Sequence, residues 1–112
     1  MSKPRDEQNQ PNPSCSLNYF FKLLSGEWTI HILWTLSRNG STRFGELRRQ
    51  LDGISSKVLT DRLRMLEAEG IVQRESKPTI PPEVSYELTD RGHKLDHTLV
   101  AIEHTAKHWT SS

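Results

Sequence analysis

The sequence predicts a single, mainly α-helical domain with one small β-hairpin. The chain has 112 residues, which is the length of one domain and leaves no room for a second core. Apolar residues recur at intervals of three and four over several segments, as on one face of an α-helix. Between residues 71 and 88, two short segments flank a loop with three prolines, and the second segment alternates apolar and polar residues. This arrangement is typical of a β-hairpin.

The first fourteen residues differ in composition from the rest of the chain. Residues 1–14 contain one apolar residue, Met1, and three of the six prolines. Such a segment cannot offset its ordering entropy, so we expect a disordered N-terminal arm over residues 1–14 and a folded domain over residues 15–112. No stretch has the pattern of a secretory signal or a transmembrane helix. A single cysteine fits a reducing compartment, so these features together predict a cytoplasmic protein with no membrane partner.

Two helices open the predicted domain. The first covers about residues 16–26, and its apolar stripe consists of Leu17, Phe20, Phe21 and Leu24. The second covers about residues 27–38 and ends at a glycine-containing turn. Because this second helix is apolar on most sides, we expect it at the centre of the domain, with His31 in the core or at its boundary.

The next two helices are short and closely spaced. The apolar residues of the first are Phe44, Leu47 and Leu51. A turn at Asp52-Gly53 leads to Ser55, the expected N-cap of the second helix, which ends at Gly70. The inner stripe of this second helix consists of Leu59, Leu63 and Leu66, and the opposite face carries Lys57, Thr60, Asp61, Arg64 and Ala68.

A hairpin and a last helix complete the chain. The strands are predicted at residues 71–75 and 84–88, separated by the proline-rich loop. Thr89 or Asp90 is the expected cap of a final helix over about residues 91–109. Two short helices joined by a turn and followed at once by a hairpin predict a winged helix–turn–helix.

The charge of the helix–turn–helix segment favours double-stranded DNA as a partner. Residues 43–64 hold six basic and three acidic residues, a net charge of +3 in a chain whose total is +1. A helix that enters the major groove presents long polar side chains, and basic groups around it contact phosphates. A solvated helix face explains the charge equally well, but the order of elements favours DNA. The main alternative is a winged helix that binds another protein without DNA, against which Lys57 and Arg64 on the free face argue.

A series of short motifs also runs through residues 15–92 in a defined order. It consists of Cys15; Gly26-x-Trp28-Thr29; Ile32-Leu33; Arg43-Phe44-x-Glu46-Leu47-Arg48; Gly53-Ile54-Ser55-x-Lys57-x-Leu59-Thr60; Leu63-x-x-Leu66-Glu67-x-x-Gly70-Ile71-Val72-x-Arg74; and Pro81-Pro82-x-Val84-x-Tyr86-x-Leu88-Thr89-x-x-Gly92. The series resembles the HxlR-type winged helix–turn–helix transcriptional regulators. The resemblance implies a dimeric, DNA-binding bacterial or archaeal protein, and several members of the family respond to oxidants or electrophiles. We therefore expect a sequence-specific DNA-binding regulator that acts as a repressor.

The resemblance places the DNA-reading helix at about residues 55–69. The candidate DNA contacts are Arg43 and Arg48 on the preceding helix, Ser56, Lys57, Thr60, Asp61 and Arg64 on the reading helix, and Lys77 at the hairpin tip. One position departs from the family pattern. Glu27 stands where the family usually has a lysine before the tryptophan, which weakens the case for a phosphate contact there.

The last helix carries apolar residues at the 4-3-4-3 spacing of a coiled-coil seam. These residues are Leu95, Leu99, Ile102, Ala106 and Trp109. The seam could cover the domain's own core or pair with a second subunit. Because so small a chain has little core to spare, we expect a homodimer formed by the first and last helices, with Leu17, Phe20 and Phe21 contributing. The family resemblance points the same way.

Cys15 is a candidate redox sensor at the start of the first helix. A helix N-terminus favours the thiolate, which is the form that oxidants attack. The resemblance implies that a cysteine at this position is the sensor in some relatives. The alternative is that Cys15 packs as a small hydrophobic residue.

No metal, cofactor or catalytic site is expected. His93, His97, His104 and His108 are spaced 4, 7 and 4 apart and should share one side of the last helix, but nothing completes a ligand set, so a solvated face is the expectation. The sequence has no nucleophile elbow, phosphate-binding glycine loop or metalloprotease motif, so we expect that it is not an enzyme. The sequence does not identify a small-molecule effector.

Overall fold

The computed structural model describes residues 13–110, with side chains from residue 16 onward. In this range the elements are α1 (Pro13–Leu24), α2 (Thr29–Asn39), β1 (Thr42–Arg43), α3 (Phe44–Gln50), α4 (Ser56–Ala68), β2 (Val72–Lys77), β3 (Glu83–Leu88), α5 (Asp90–His93) and α6 (Asp96–Thr110). The order confirms the predicted mainly helical, winged architecture. None of these helices combines the length and apolar character needed to cross a bilayer.

Helix α1 begins earlier than the predicted boundary between arm and domain. The sequence places the end of the arm at residue 14, but the helix already starts at Pro13. Proline is tolerated in a first helical turn because its missing N–H would have no intrahelical partner there. Residues 1–12 of the predicted arm lie outside the described part of the chain.

Helix α2 forms the centre of the core. Its residues Ile32, Leu33 and Leu36 have no exposed surface and cluster with apolar residues of α3, α4 and the sheet. The expectation that His31 lies in the core or at its boundary is wrong, because its side chain is exposed. At about 100° per residue, His31 lies on the side of α2 opposite to the buried residues.

The sheet contains three strands instead of the predicted two. The antiparallel sheet has the order β1-β3-β2, with Thr42 opposite Tyr86 at one edge and Val72 opposite Leu88 at the start of the hairpin. The strands of the hairpin extend over 72–77 and 83–88, so the loop is shorter than expected. Strand β1 has only two residues, too few to produce an alternating sequence pattern.

The single final helix predicted over residues 91–109 is instead divided into α5 and α6. The N–H groups of Lys94 and Leu95 donate to carbonyls three residues earlier, at 3.2 and 3.0 Å, which tightens and ends α5. Thr89 is the N-cap of α5, as predicted, because its hydroxyl accepts from the Gly92 N–H at 3.1 Å. Gly92 lies so close to the residue before β2 that an added Cβ would be 2.2 Å from the Ile71 carbonyl oxygen. The division allows α5 to pack on the sheet while α6 contacts α2.

Asp96 joins α6 to both α5 and α2. Its carboxylate lies 3.0 Å from Nδ1 of His93 and accepts a hydrogen bond from the Ser37 hydroxyl at 2.9 Å. The hydrogen bond from His93 is the main cause that lowers the pKa of Asp96; burial opposes it, and the Ser37 hydroxyl supports it. Since His93 belongs to α5, the predicted single helix face of four histidines is wrong. Among the described residues, no group of three or more side chains is arranged to hold a metal ion.

The apolar seam of the last helix divides into a buried and an exposed part. Leu99 is only 4% exposed and Leu95 is half-buried, so both pack on the chain's own core. Ile102, Ala106 and Trp109 are exposed, Trp109 to 83%. The C-terminal half of the seam is therefore left uncovered by the domain's own core.

Candidate nucleic-acid interface

Helix α4 presents a buried and a free face, as its sequence predicts. The Ser55 hydroxyl accepts from the Val58 N–H at 3.1 Å, which confirms it as the N-cap. The inner stripe is confirmed as core, since Leu59, Leu63 and Leu66 are 0% exposed. On the other face Ser56, Lys57, Asp61 and Arg64 are exposed, and Thr60 is half-buried.

The turn before α4 fixes how the helix leaves the core. Gly53 adopts a positive φ of 97°, a conformation that side chains other than glycine rarely adopt. Ile54 follows and buries its side chain, with its N–H donating to the Leu51 carbonyl at 3.1 Å. Helices α3 and α4 are thereby joined by a tight turn, and the polar face of α4 points away from the core.

A groove of about 900 Å³ lies beside this face, between α4, the start of α3 and the wing. The wing is the hairpin of β2 and β3 with the loop at residues 78–82. The groove is lined by Arg43, Thr60 and Arg64, three of the predicted contacts, together with Arg74 on β2 and the wing loop. Its charged residues are Arg43, Arg64, Arg74, Glu67 and Glu83, so it is basic overall.

Two ion pairs organise the charges near the groove. Arg43, the N-cap residue of α3, lies 2.9 Å from Glu83 at the base of the wing loop. Lys57 lies 3.2 Å from Asp61 one turn along α4. Exposed pairs of this kind contribute little to stability, so both cations can exchange their carboxylates for phosphates. Arg64 has no ion-pair partner within residues 16–110.

The five other predicted contacts do not line the groove: Ser56, Lys57 and Asp61 lie on α4, and Arg48 and Lys77 lie on other elements. Arg48 is exposed on the last turn of α3. Lys77 ends β2 opposite Glu83 and is also exposed, beside the wing loop. The structure therefore places the eight candidate residues on one helix–turn–helix and its wing, with three of them around a common groove.

Sequence reasoning missed two arginines. Arg74 lines the groove from β2, and only the strand register with Tyr86 shows this. Arg62 is one of the six basic residues counted in the helix–turn–helix, but its Nε donates to the Glu27 carbonyl at 2.8 Å. Since periodicity does not show which residues of α1 and α2 approach α4, no sequence signal separates Arg62 from its neighbours.

Two short helices joined by a tight turn, an exposed polar face on the second helix, and an adjacent wing that belongs to a three-stranded sheet define a winged helix–turn–helix DNA-binding domain. The sequence matches the HxlR-like helix-turn-helix family over residues 23–112. The chain belongs to this family and is a DNA-binding, HTH-type transcriptional regulator, not an enzyme.

Individual relatives agree with this assignment. The chain is similar to the HTH-type transcriptional regulator sll1512 of Synechocystis sp., with 40% identity over 95 residues that cover 85% of this chain and 70% of that protein. It is similar to the redox regulator HypR in its oxidized form, with a TM-score of 0.76, 32% identity, and coverage of 83% of this chain and 95% of HypR. It is also similar to the reduced form of the transcriptional regulator YodB from B. subtilis, with a TM-score of 0.69, 30% identity, and coverage of 99% and 97%.

Proposed function

We propose that the protein binds a specific promoter-proximal DNA site as a homodimer and represses transcription there. The observation that carries this proposal is the exposed polar face of α4 beside a basic groove closed by the wing. A helix with such a face fits the major groove of B-DNA, and the wing then lies against the flanking backbone. The rival function, protein interaction without DNA, is disfavoured because this face is basic.

Each candidate residue receives a role from its position. Lys57, Thr60 and Arg64 project from the free face of α4 towards base edges or phosphates, and Arg64 has the guanidinium geometry for bidentate contact with guanine. Ser56 and Asp61 lie beside them, where a carboxylate accepts from a cytosine amino group.

The remaining candidates surround the reading helix. Arg43, the N-cap residue of α3, and Arg48, on α3, contact phosphates, and Lys77 contacts the backbone or minor groove beside the wing.

Two exposed apolar surfaces support the dimer. On α1, Leu17, Phe20 and Phe21 are 53%, 41% and 60% exposed. On α6, Ile102 and Trp109 are 44% and 83% exposed, with Ala106 between them. Large apolar side chains in this number are typical of an interaction surface. A two-fold dimer formed through them would present two α4 helices to half-sites about one helical turn, or ~34 Å, apart.

Selection from a randomised pool of duplexes tests the proposal. We expect enrichment of a two-fold related sequence, bound about a thousandfold or more tightly than scrambled DNA. A promoter that overlaps the enriched sequence should lose run-off transcription when the protein is added. A pool that remains random after several rounds would overturn sequence-specific binding, and increased transcription would overturn repression.

A redox response through Cys15 is a second part of the proposal. Cys15 belongs to the first turns of α1, the helix that also carries the exposed aromatic residues, and its side chain lies outside the described range. Similarity to the redox regulator HypR supports the idea. With one cysteine in the chain, a disulfide forms between subunits or with a small thiol.

Treatment with diamide tests the sensor. The affinity of the unmodified protein for the enriched duplex should change after treatment, whereas that of Cys15→Ser should not. An equal response of the two proteins, or no response of either, would reject Cys15 as a sensor and favour its role as a packed hydrophobic residue.

A further inference from the structure

Helix α1 is attached to the domain by few apolar contacts. From residue 16 to residue 22 every side chain is exposed, and only Leu23 is buried, with Leu24 half-buried beside it. Packing at one end of a helix leaves its direction poorly fixed, because the other end can pivot. The polar contacts of α1 with the rest of the domain therefore matter for its orientation.

One such contact joins the turn after α1 to the reading helix. The Nε of Arg62, half-buried on α4, donates to the carbonyl of Glu27 at 2.8 Å. Gly26 lies in the same turn, and an added Cβ there would be 2.9 Å from Oγ1 of buried Thr29, which is too close. Trp28 follows with a left-handed φ of 72°.

The same turn also lies beside the turn between α3 and α4. The Trp28 ring lies about 3.9 Å from the position of a Cβ at Gly53. The segment from Gly26 to Thr29 thus lies beside the turn between α3 and α4 and is hydrogen-bonded to the middle of α4. A rotation of α1 would be passed directly to the unit that reads DNA.

A second contact joins the middle of α1 to the far end of α4. The Tyr19 hydroxyl donates to a carboxylate oxygen of Glu69, the C-cap residue of α4. Nη2 of Arg91, on α5, lies 3.5 Å from the same hydroxyl. Arg62 and Glu69 are seven residues apart, so they lie on one side of α4 about 10 Å from each other along its axis.

We propose that Arg62 and Tyr19 are positioning residues that lock the reading helix to α1 and to the turn that follows α1. Two attachment points about 10 Å apart fix both the distance and the angle between two helices, which one contact cannot do. Arg62 acts by holding the α1–α2 turn and does not contact DNA, in contrast to Lys57 and Arg64 on the same helix.

This proposal rests on the proposed function, because α1 also carries part of the dimer surface. If α1 is fixed at the dimer interface, the contacts of Arg62 and Tyr19 set the separation and angle of the two α4 helices of the dimer. A single base-pair step moves a half-site by about 3.4 Å and about 35°. The lock therefore determines how strictly the dimer selects the spacing between half-sites.

The experiment compares Arg62→Gln and Tyr19→Phe with the unmodified protein on a set of duplexes. The set contains the enriched operator, the same operator with one or two base pairs added or removed between half-sites, and an isolated half-site. We expect both variants to lose roughly 2- to 30-fold in affinity for the operator and to discriminate less between spacings. Their affinity for the half-site should remain unchanged.

Salt dependence separates positioning from phosphate contact. The slope of log affinity against log salt on the half-site falls by about 0.9 for each phosphate contact that is lost. We expect no change in this slope for Arg62→Gln. Lys107→Gln removes an equal charge from an exposed pair on α6 and serves as the control. Glu69→Gln keeps an acceptor for Tyr19 and should retain spacing discrimination.

The outcomes are distinct. A reduced salt slope and a weaker half-site complex for Arg62→Gln would show that Arg62 contacts DNA, and would overturn the proposal. Unchanged spacing discrimination in Tyr19→Phe would also overturn it, and this exposed hydroxyl can be removed even if Arg62→Gln does not fold. If the unmodified protein shows no preferred sequence, the proposed function fails instead of the lock.

Discussion

Leu63 and Arg64 are neighbours in the chain, but their substitutions should have opposite effects. Leu63 is 0% exposed in the core, and Leu63→Ala removes three carbons worth about 0.8 kcal/mol each in transfer free energy. A cavity term adds to this sum, so we expect the free energy of unfolding to fall by about 2–5 kcal/mol. Arg64 is exposed and has no ion-pair partner among the described residues, so Arg64→Ala should change stability by no more than about 0.5 kcal/mol.

The same two variants should separate in DNA binding. If Arg64 makes a bidentate base contact, Arg64→Ala weakens operator binding by about 1–3 kcal/mol and relaxes specificity at one base pair. Leu63→Ala should bind normally per folded molecule. Urea unfolding measures stability, and fluorescence anisotropy with labelled operator measures affinity at a folded fraction known from the unfolding curves. An Arg64→Ala protein that unfolds readily but binds DNA normally when folded would refute the assignment of the two faces.

Three other predictions follow from the structure. Operator affinity should fall about a thousandfold or more between about 50 and 200 mM salt in a gel-shift titration, because several phosphates per subunit are neutralised; a flat response would contradict phosphate contact. Phe21→Glu or Ile102→Glu should produce folded monomers in sedimentation, since both side chains are exposed. Leu99→Glu should instead unfold the domain, because Leu99 is buried. Folded dimers of the first two variants would exclude this interface. The pKa of Asp96 is lowered in the folded protein, so its carboxylate stabilises the fold at pH values above the ordinary pKa of an aspartate. This contribution is lost as the pH falls through the pKa that Asp96 has in the folded state. Asp96→Asn should therefore be less stable than the unmodified protein at neutral pH, and the difference between their urea midpoints should narrow below about pH 4. A difference in midpoint that does not depend on pH would contradict the role of the carboxylate.

The reading helix could be predicted from the sequence because its signals are local. A leucine every three or four residues, a serine before the first turn and a glycine after the last one specify a capped amphipathic helix without reference to distant residues. Its free face follows from the same periodicity. The predicted residues Thr60 and Arg64 consequently lie together at the groove.

Features that depend on distant contacts were not predictable in this way. Strand β1 exists because Thr42 and Arg43 pair with β3, forty residues away in the chain, and two residues carry no periodic signal. The division of the last helix comes just after Gly92, which packs closely on the distant Ile71 carbonyl. The roles of Arg62 and Arg74 depend on which elements approach them. Tertiary contacts decide all these features, and local propensity does not encode them.

Methylation interference on the selected operator tests the central claim most directly. Methyl groups at guanine N7 project into the major groove, where α4 is proposed to bind, and methyl groups at adenine N3 project into the minor groove. We predict that N7 methylation blocks binding in two half-sites centred about 10 base pairs, or one helical turn, apart on one face of the duplex. Interference confined to adenine N3, or a single unrepeated patch, would contradict a dimer that reads the major groove with α4.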